Sequence, residues 1–437
     1  MDVLIRGARV VTDQGVYRAD VGLADGRIAI IGEQLPVTGW REVVEADGLH
    51  LLPGLIDPHV HFNEPGRTEW EGLETGSRAL AAGGVTSFID MPLNSSPPVV
   101  TAAHLKAKQT LIEQKSVVNG YCWGGLVPGH LDDLAEMHAG GALGFKAFMS
   151  NSGIDEFPAA DDYTLYEGMR RIQRLGSLLA VHAENDAITA GLTRALKPTG
   201  SGSAHDYLAS RPPVAELEAV TRALLLAEQT GCPLYVVHTT IASAVAAIHS
   251  ARLRGVDATC ETCPHYLTLT DADLERLGPA AKCAPPLRSA TEQAALWDCV
   301  LRGEVQVIAS DHSPSSPHLK ASADFFAAWG GIAGCQSTLS LLITEGYHRR
   351  GLSLPRIVAM TSTQVAQRFR LAGKGRVEVG ADADVVLVDV NAGYTLRAED
   401  LHYRHQVSPY IGMTLRGQVV RTYVGGRMIY REGEFYG

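Results

Sequence analysis

The sequence predicts an α/β protein: a (β/α)8 barrel joined to a small composite β-domain built from both termini. Three observations carry this. The first is length. A chain of 437 residues suggests two or three domains, and a barrel takes up about 250 residues as one unit. The second is rhythm. From about residue 52 to 370, apolar strand-like runs alternate with helix-length amphipathic segments. The third is the texture of the ends. DVLIRGARVV and YRADVGLADGRIAIIGE at the start, and ADADVVLVDV and TLRGQVVRTYVGGRMIYREGEF at the finish, alternate apolar and polar residues around Asp-Gly and Gly-Gly turns.

Neither terminal segment has enough strands for a stable sheet of its own, so residues 1–51 and 371–437 are read as one domain and 52–370 as the barrel. The barrel strands are GLIDPHVHF, VTSFIDMP, VVNGYCWGG, ALGFKAFM, SLLAVHAEN, PLYVVHTT, VDATCETCP and EVQVIASDH. Helical stretches such as EWEGLETGSRALAAGG and VAELEAVTRALLLAEQTG lie between them, and several end in glycine, as a helix C-terminus prefers. Continuous apolar strands mean a parallel sheet buried on both faces. In such a barrel the active site sits at the C-terminal strand ends.

Composition excludes several function classes. Hydrophobic residues make up 46% and charged residues 20%, which is globular usage with ample material for a core. The net charge of −10 leaves no basic field for nucleic acid or an anionic membrane. No basic and apolar leader follows Met1, and no apolar run is long enough to span a bilayer. Seven scattered cysteines suit reduced thiols in a cytoplasm. Cys260 and Cys263 form a C-x-x-C, but a zinc ribbon needs a second such pair and there is none.

Chemistry gathers at the strand ends. The first strand ends in His59-Val60-His61; residues two apart on a strand point the same way, so both imidazoles can face the barrel mouth. The fourth carries Lys146, the fifth ends in His182, the sixth in His238 and the eighth in Asp311. A single such histidine is ordinarily a satisfied core residue, but this many polar groups at one end of apolar strands point to a metal site. Imidazole and carboxylate together suit zinc or a related divalent ion, and the number of groups suits two ions. A lysine desolvated beside cations loses its charge, and its free amine can take up carbon dioxide to give a carbamate with one oxygen for each ion. The alternative is a structural lysine paired to an acid.

GLIDPHVHFNEPG, the GFKAFM lysine, the AVHAEN, VVHTT and IASDH strand ends and ADADVVLVDV resemble the cyclic amidohydrolases: dihydroorotases, hydantoinases and allantoinases. The resemblance covers essentially the whole chain. It implies a TIM barrel with a composite β-sandwich and a binuclear centre bridged by carboxylated lysine. In it His59 and His61 hold the first metal and Lys146 bridges. His182 and His238 hold the second metal, and Asp311 ligates the first and moves the proton. It also implies a cytoplasmic homo-oligomer, a tetramer.

Within that family, dihydroorotases have H-x-H-x-R, where the arginine pairs with the substrate carboxylate; here the position is Asn63. HFNEPGRTEWEG, DMPLNSSP, CETCPHYL, KCAPPLR, GGIAGCQS and SPYIGMTLRG look like the allantoinase branch, which implies ring opening of allantoin to allantoate in purine catabolism. Leu93-Asn94 departs from the dihydroorotase pattern there, so the role of a substrate asparagine does not transfer directly. A hydantoinase or dihydropyrimidinase acting on another neutral ring is the alternative, with dihydroorotase after it; a metal-free scaffold is the alternative outside enzymes.

Asn63, Ser313 and His312 are candidate substrate contacts, each with a loop-packing or ligand-orienting alternative. His265 is an even choice between structure and site. Asn151-Ser152-Gly153 reads as a loop near the mouth. Glu69 and Glu71 are expected to cap or solvate the first helix, and His205, His318 and His348 to lie on the surface.

Overall fold

A computed structural model of the chain describes residues 1–197 and 201–436; Gly437, the last residue of the expected composite domain, lies outside them. Five strands precede the barrel: β1 (Val3–Val11), β2 (Val16–Ala24), β3 (Arg27–Gly32), β4 (Glu42–Glu45) and β5 (His50–Pro53). The barrel strands are β6 (Leu55–Val60), β7 (Val85–Asp90), β8 (Asn119–Cys122) continued by β9 (Gly124–Gly125), β10 (Phe145–Phe148), β11 (Leu179–His182), β12 (Leu234–Val236), β13 (Ala258–Thr262) and β14 (Val307–Ile308). β15 (Val385–Thr395), β16 (Thr414–Val424), β17 (Arg427–Arg431) and β18 (Glu434–Phe435) follow.

Every barrel pairing is parallel, running β6–β7–β8 and β9 through β14. Trp123 alone separates β8 from β9. Its backbone N–H donates to the Asp90 carbonyl at 3.0 Å and its buried indole N–H to the Pro58 carbonyl at 2.9 Å, so the break is stitched to the two preceding strands. The circle closes between β6 and the residues just past β14. Val60 and His312 form a parallel bridge, and the His61 N–H donates to the His312 carbonyl at 2.8 Å. β6, β7, β11 and β13 are buried from end to end, as a sheet covered on both faces requires, while β8 is half-buried along Asn119–Tyr121.

The two ends of the chain form one nine-stranded sheet in the order β18-β17-β16-β15-β5-β1-β2-β3, with β4 beside β1. β5 is the joint, parallel to β1 and antiparallel to β15. Val21, Leu23 and Ile28 share an apolar core with Val385, Leu387 and Tyr423, so the sheet encloses residues from both termini. The Asp-Gly pair between β2 and β3 has φ of 51° at Asp25 and 74° at Gly26, the left-handed pair that a tight hairpin turn needs. No helix among the described residues is long and apolar enough to cross a membrane.

Three sequence expectations are corrected. The first barrel helix spans Leu73–Ala82 rather than starting near Glu69, because the chain before it is tied down by side chains; the Leu73 N–H donates to Glu64 Oε2 at 3.0 Å. Glu71 neither caps nor solvates that helix. It is fully buried, accepts from the Thr75 hydroxyl and the Arg404 N–H, and lies 3.5 Å from His312 Nε2. His348 is half-buried, its Nε2 sharing a 2.7 Å hydrogen bond with the Val390 carbonyl, whereas His205 and His318 are exposed.

The first helix also fixes the approach to the site. A Cβ on Gly76 would lie 2.3 Å from the ring of Phe62, the residue after His61, and that ring is itself packed edge-on against Phe88 at 4.9 Å. Gly76→Ala should therefore destabilise the chain by about 1–3 kcal/mol through overpacking, which a denaturant titration reads directly. An unchanged midpoint would mean that the helix shifts freely over Phe62.

Candidate active site

The strand ends deliver their ionisable side chains to one cavity of about 600 Å³ at the C-terminal end of the barrel. His59, His61, His182, His238 and Asp311 line it. Lys146 lies behind the wall, its Nζ 5.1 Å from the centre of the Phe148 ring that lines the cavity. Asp311 reaches His59 Nε2 at 3.1 Å and His61 Nε2 at 3.4 Å. His182 Nδ1 faces His238 Nε2 at 3.0 Å, and the His182 ring stacks on Phe148 at 4.5 Å. His238 and Asp311 hold φ of 39° and 45°. Left-handed backbone at a non-glycine residue costs about 1–3 kcal/mol and persists where the surroundings enforce it, a mark of functional sites.

Two buried carboxylates orient these ligands. Glu261 Oε1 is 2.7 Å from His59 Nδ1 and accepts the His238 N–H at 3.0 Å, while Oε2 accepts the Tyr235 hydroxyl at 2.8 Å. Glu184 Oε2 is 2.8 Å from His182 Nε2 and is also paired with Arg211. Carboxylates bonded there leave His59 Nε2 and His182 Nδ1 as the lone-pair nitrogens, both turned toward the other ligands. The sequence reading missed both residues. The signals present were the His-x-Glu of AVHAEN and the acid in CETCP, each two residues from an inward-facing position.

Burial and the neighbouring charges shift the ionisable groups of the centre in opposite directions. Burial alone would push the His59 imidazole down, but the carboxylates of Asp311 and Glu261 outweigh it and lift its pKa to about 9. Asp311, which burial alone would raise, is held well below the usual carboxylate range by His59 and His61. Burial, then the neighbouring His182 and Lys146, drive His238 far below an ordinary histidine. Burial also lowers Lys146 to about 8, and its Nζ is fully buried without a hydrogen-bond partner.

This donor set fits a divalent-metal centre. The convergence of His182 on His238, a buried Lys146 amine without a hydrogen-bond partner and a carboxylate between two imidazoles are arrangements that a bound cation would use. His59, His61 and Asp311 already lie close enough for their ligand atoms to share one ion.

The remaining expected residues divide. Ser313 lines the cavity and its Oγ accepts from Asn94 Nδ2 at 3.4 Å; Asn94 lines it too, with φ of 73°. Asn151, Ser152 and Gly153 form part of the wall. Asn63 is not on that wall. It is fully buried, its Nδ2 donating to the Pro314 carbonyl at 3.3 Å, because the turn after His61 at φ 46° directs it under the loop past β14. His312 is likewise behind the wall: its Nδ1 accepts the Gly334 N–H at 3.1 Å and its ring packs on Tyr403 at 4.8 Å, since its backbone is committed to barrel closure.

Glu261 gives a direct test of this geometry. Glu261→Gln keeps the shape but weakens the acceptor on His59 and should lower metal affinity by about 10–100-fold, read by chelator competition. Unaltered affinity would show that Glu261 only packs.

Comparison with known proteins agrees with the geometry. The profile of the Amidohydrolase family matches residues 50–429. The chain is 52% identical to a protein of Rubrobacter xylanophilus named allantoinase, over 99% of this chain and 95% of the relative. It is 50% identical to one of Deinococcus radiodurans with the same name, over 100% and 97%. Among solved structures, L-hydantoinase (dihydropyrimidinase) from Arthrobacter aurescens superposes with a TM-score of 0.97 at 34% identity, covering 100% of this chain and 97% of that one. Dihydropyrimidinase from Brevibacillus agri gives 0.92 at 32%, over 99% and 95%. A parallel barrel whose strand ends gather histidines and an aspartate, matched in sequence over nearly its full length, places this chain in the amidohydrolase family.

Proposed function

We propose that this chain hydrolyses the ring amide of allantoin to give allantoate. The observation that carries the reading is identity of 50–52% over nearly the full length to proteins named allantoinase, in a chain whose cavity walls hold a metal-ligand constellation. In this reading His59, His61 and Asp311 hold one divalent ion and His182 and His238 a second, both most simply zinc given imidazole and carboxylate donors. Bound there, the ions supply Lewis-acid activation of water and of the scissile carbonyl.

The chain's own residues do the rest. The uncharged Lys146 amine adds to carbon dioxide, one N–H proton leaves, and the carbamate places an anion with two oxygens between the two histidine pairs. Burial without a partner is what supports that reaction over a structural ion pair. Asp311, held ionised by His59 and His61, takes the proton of the attacking water and delivers it to the departing ring nitrogen. Asn94 and Ser313 offer an amide and a hydroxyl on the wall to hold the ring or its ureido arm. Glu184 occupies Arg211, and Lys282 is turned to the Ala328 carbonyl, so these two cations of the wall are already engaged. The same reading includes a cytoplasmic homotetramer. Seven unpaired cysteines fit a reducing compartment, and exposed Tyr163, Tyr166, Val214 and Leu225 on the neighbouring helices Asp162–Arg174 and Pro213–Thr230 offer apolar surface to another subunit.

Substrate profiling tests the reading. Dihydroorotate carries a carboxylate, and Asn63 stands where dihydroorotases have the arginine that pairs with it, so desolvating that anion carries a penalty on the order of several kcal/mol that neutral allantoin does not. Measured kcat/KM should be substantial for allantoin and at least about 10²-fold lower for dihydroorotate. Efficient dihydroorotate hydrolysis, or preference for hydantoin or dihydrouracil, would overturn the allantoin assignment. Lys146→Ala should lose bound metal and turnover together, with partial rescue by short carboxylic acids that replace the bridging oxygens. Full metal content and near-normal turnover in that variant would sink the carbamate.

A further inference from the structure

Cys263 and His265 are left without a task by the reading above, yet they sit beside it. Cys263 directly follows β13, and His265 lies in the first turn of the short helix Pro264–Thr268. Along the strand Cys263 is two residues from Glu261, so it shares the inward face with the carboxylate that touches His59. Cys260, three residues back, faces the other way, which is why the C-x-x-C does not act as a pair. β13 hydrogen-bonds to β14, whose exit carries Asp311. A ligand atom of Cys263, one of His265 and one of Asp311 consequently lie within 4.8 Å of one another.

His265 supplies an independent observation. It is fully buried, and neither ring nitrogen has a hydrogen-bond partner. An imidazole carries one N–H and one lone pair, and burying both unpaired is costly unless something arrives to use them. Cys263 is also fully buried and forms no disulfide.

We propose that Cys263, His265 and Asp311 form a further cation site, for a thiophilic divalent ion, which shares Asp311 with the catalytic cluster and inhibits the enzyme when filled. The donor set is thiolate, imidazole and carboxylate, which favours ions such as cadmium, or zinc in excess of the catalytic complement. The catalytic cluster offers only nitrogen and oxygen, so the thiol sets the two sites apart. Tetrahedral zinc bonds of about 2.0–2.3 Å place neighbouring ligand atoms roughly 3.3–3.8 Å apart, so the three groups need close by only about 1 Å. On binding, the Cys263 thiol proton passes to water, the thiolate sulfur bonds the ion, and nothing is oxidised or reduced. The inhibitory effect follows from sharing: an ion held by Cys263 and His265 draws the Asp311 carboxylate from His59 and His61 and removes the proton carrier. The site goes beyond the allantoin reading and does not depend on which cyclic amide is the substrate.

Equilibrium dialysis of the enzyme with its resident metal against cadmium tests it. The wild type should take up one cadmium per chain that Cys263→Ala does not, show the ultraviolet thiolate-to-cadmium charge-transfer band, and lose at least about tenfold in turnover as that band grows. Cys263→Ala should lack the extra equivalent and the band, and keep its turnover at the same cadmium concentration. His265→Gln, which retains the thiol, should need at least about tenfold more cadmium to reach the same band; it carries the test if Cys263→Ala does not fold. The proposal is overturned if the wild type binds no additional equivalent, if the band persists in Cys263→Ala, or if inhibition appears without the band. Failure of the allantoin reading would instead show as absent allantoin turnover with the cadmium band intact.

Discussion

Closure of the barrel is the constraint on which the site depends. The first and last strands meet where Val60 bridges His312 and the His61 N–H reaches the His312 carbonyl. That one seam brings His59 and His61, near the start of the barrel, against Asp311, some 250 residues later in the chain. The seam is itself supported from outside: Glu71 approaches the His312 ring from the loop just before the first helix, and Gly334 and Tyr403 hold its other sides. An imidazole placed next to the proposed ligands is thereby spent on geometry.

The second layer explains how a cluster of imidazoles is kept in a dry interior. Glu261 holds three groups at once: the His59 ring, the His238 backbone and the Tyr235 hydroxyl. Because it touches both histidine pairs, their relative position is set by one rigid side chain on β13 rather than by the strands independently. Glu184 plays the corresponding part for His182, and Arg211 keeps its carboxylate ionised, at a pKa near 2 despite the burial that would raise it. Buried acids of this kind are tolerated because each is hydrogen-bonded on several sides.

Much of this was legible in the sequence, and the exceptions have a common cause. The eight barrel strands announce themselves as continuous apolar runs because both faces are buried, and the terminal sheet announces itself by alternation and its Asp-Gly turn. The ionisable residues at the strand ends stand out because nothing polar belongs there unless the fold uses it. Neighbours in sequence suggest that Glu71 caps or solvates the first helix and that Asn63 and His312 are substrate contacts or, alternatively, loop-packing and ligand-orienting residues. Their surroundings are set by Arg404, Pro314 and Gly334, which lie far along the chain and carry no local mark. Glu261 and Glu184 were passed over for the opposite reason. Alternation shows which way a strand residue points, but it does not show that the space in front of it is filled by another residue's imidazole.

The joint at β5 has a consequence for how the molecule is made. β1, β2 and β3 leave the ribosome before the barrel, yet β5 offers an unpaired edge until β15 arrives more than 330 residues later. The whole barrel is synthesised while that edge stands open. Pairing across such a separation is slow, and an open strand edge invites foreign strands. β5 limits the exposure by its shortness, His50–Pro53, and by ending in a proline that has no N–H to offer. Strands translated after the barrel therefore complete those translated before it, and a nascent chain cut off anywhere inside the barrel would carry an unfinished sheet ahead of the barrel as well as an unfinished barrel.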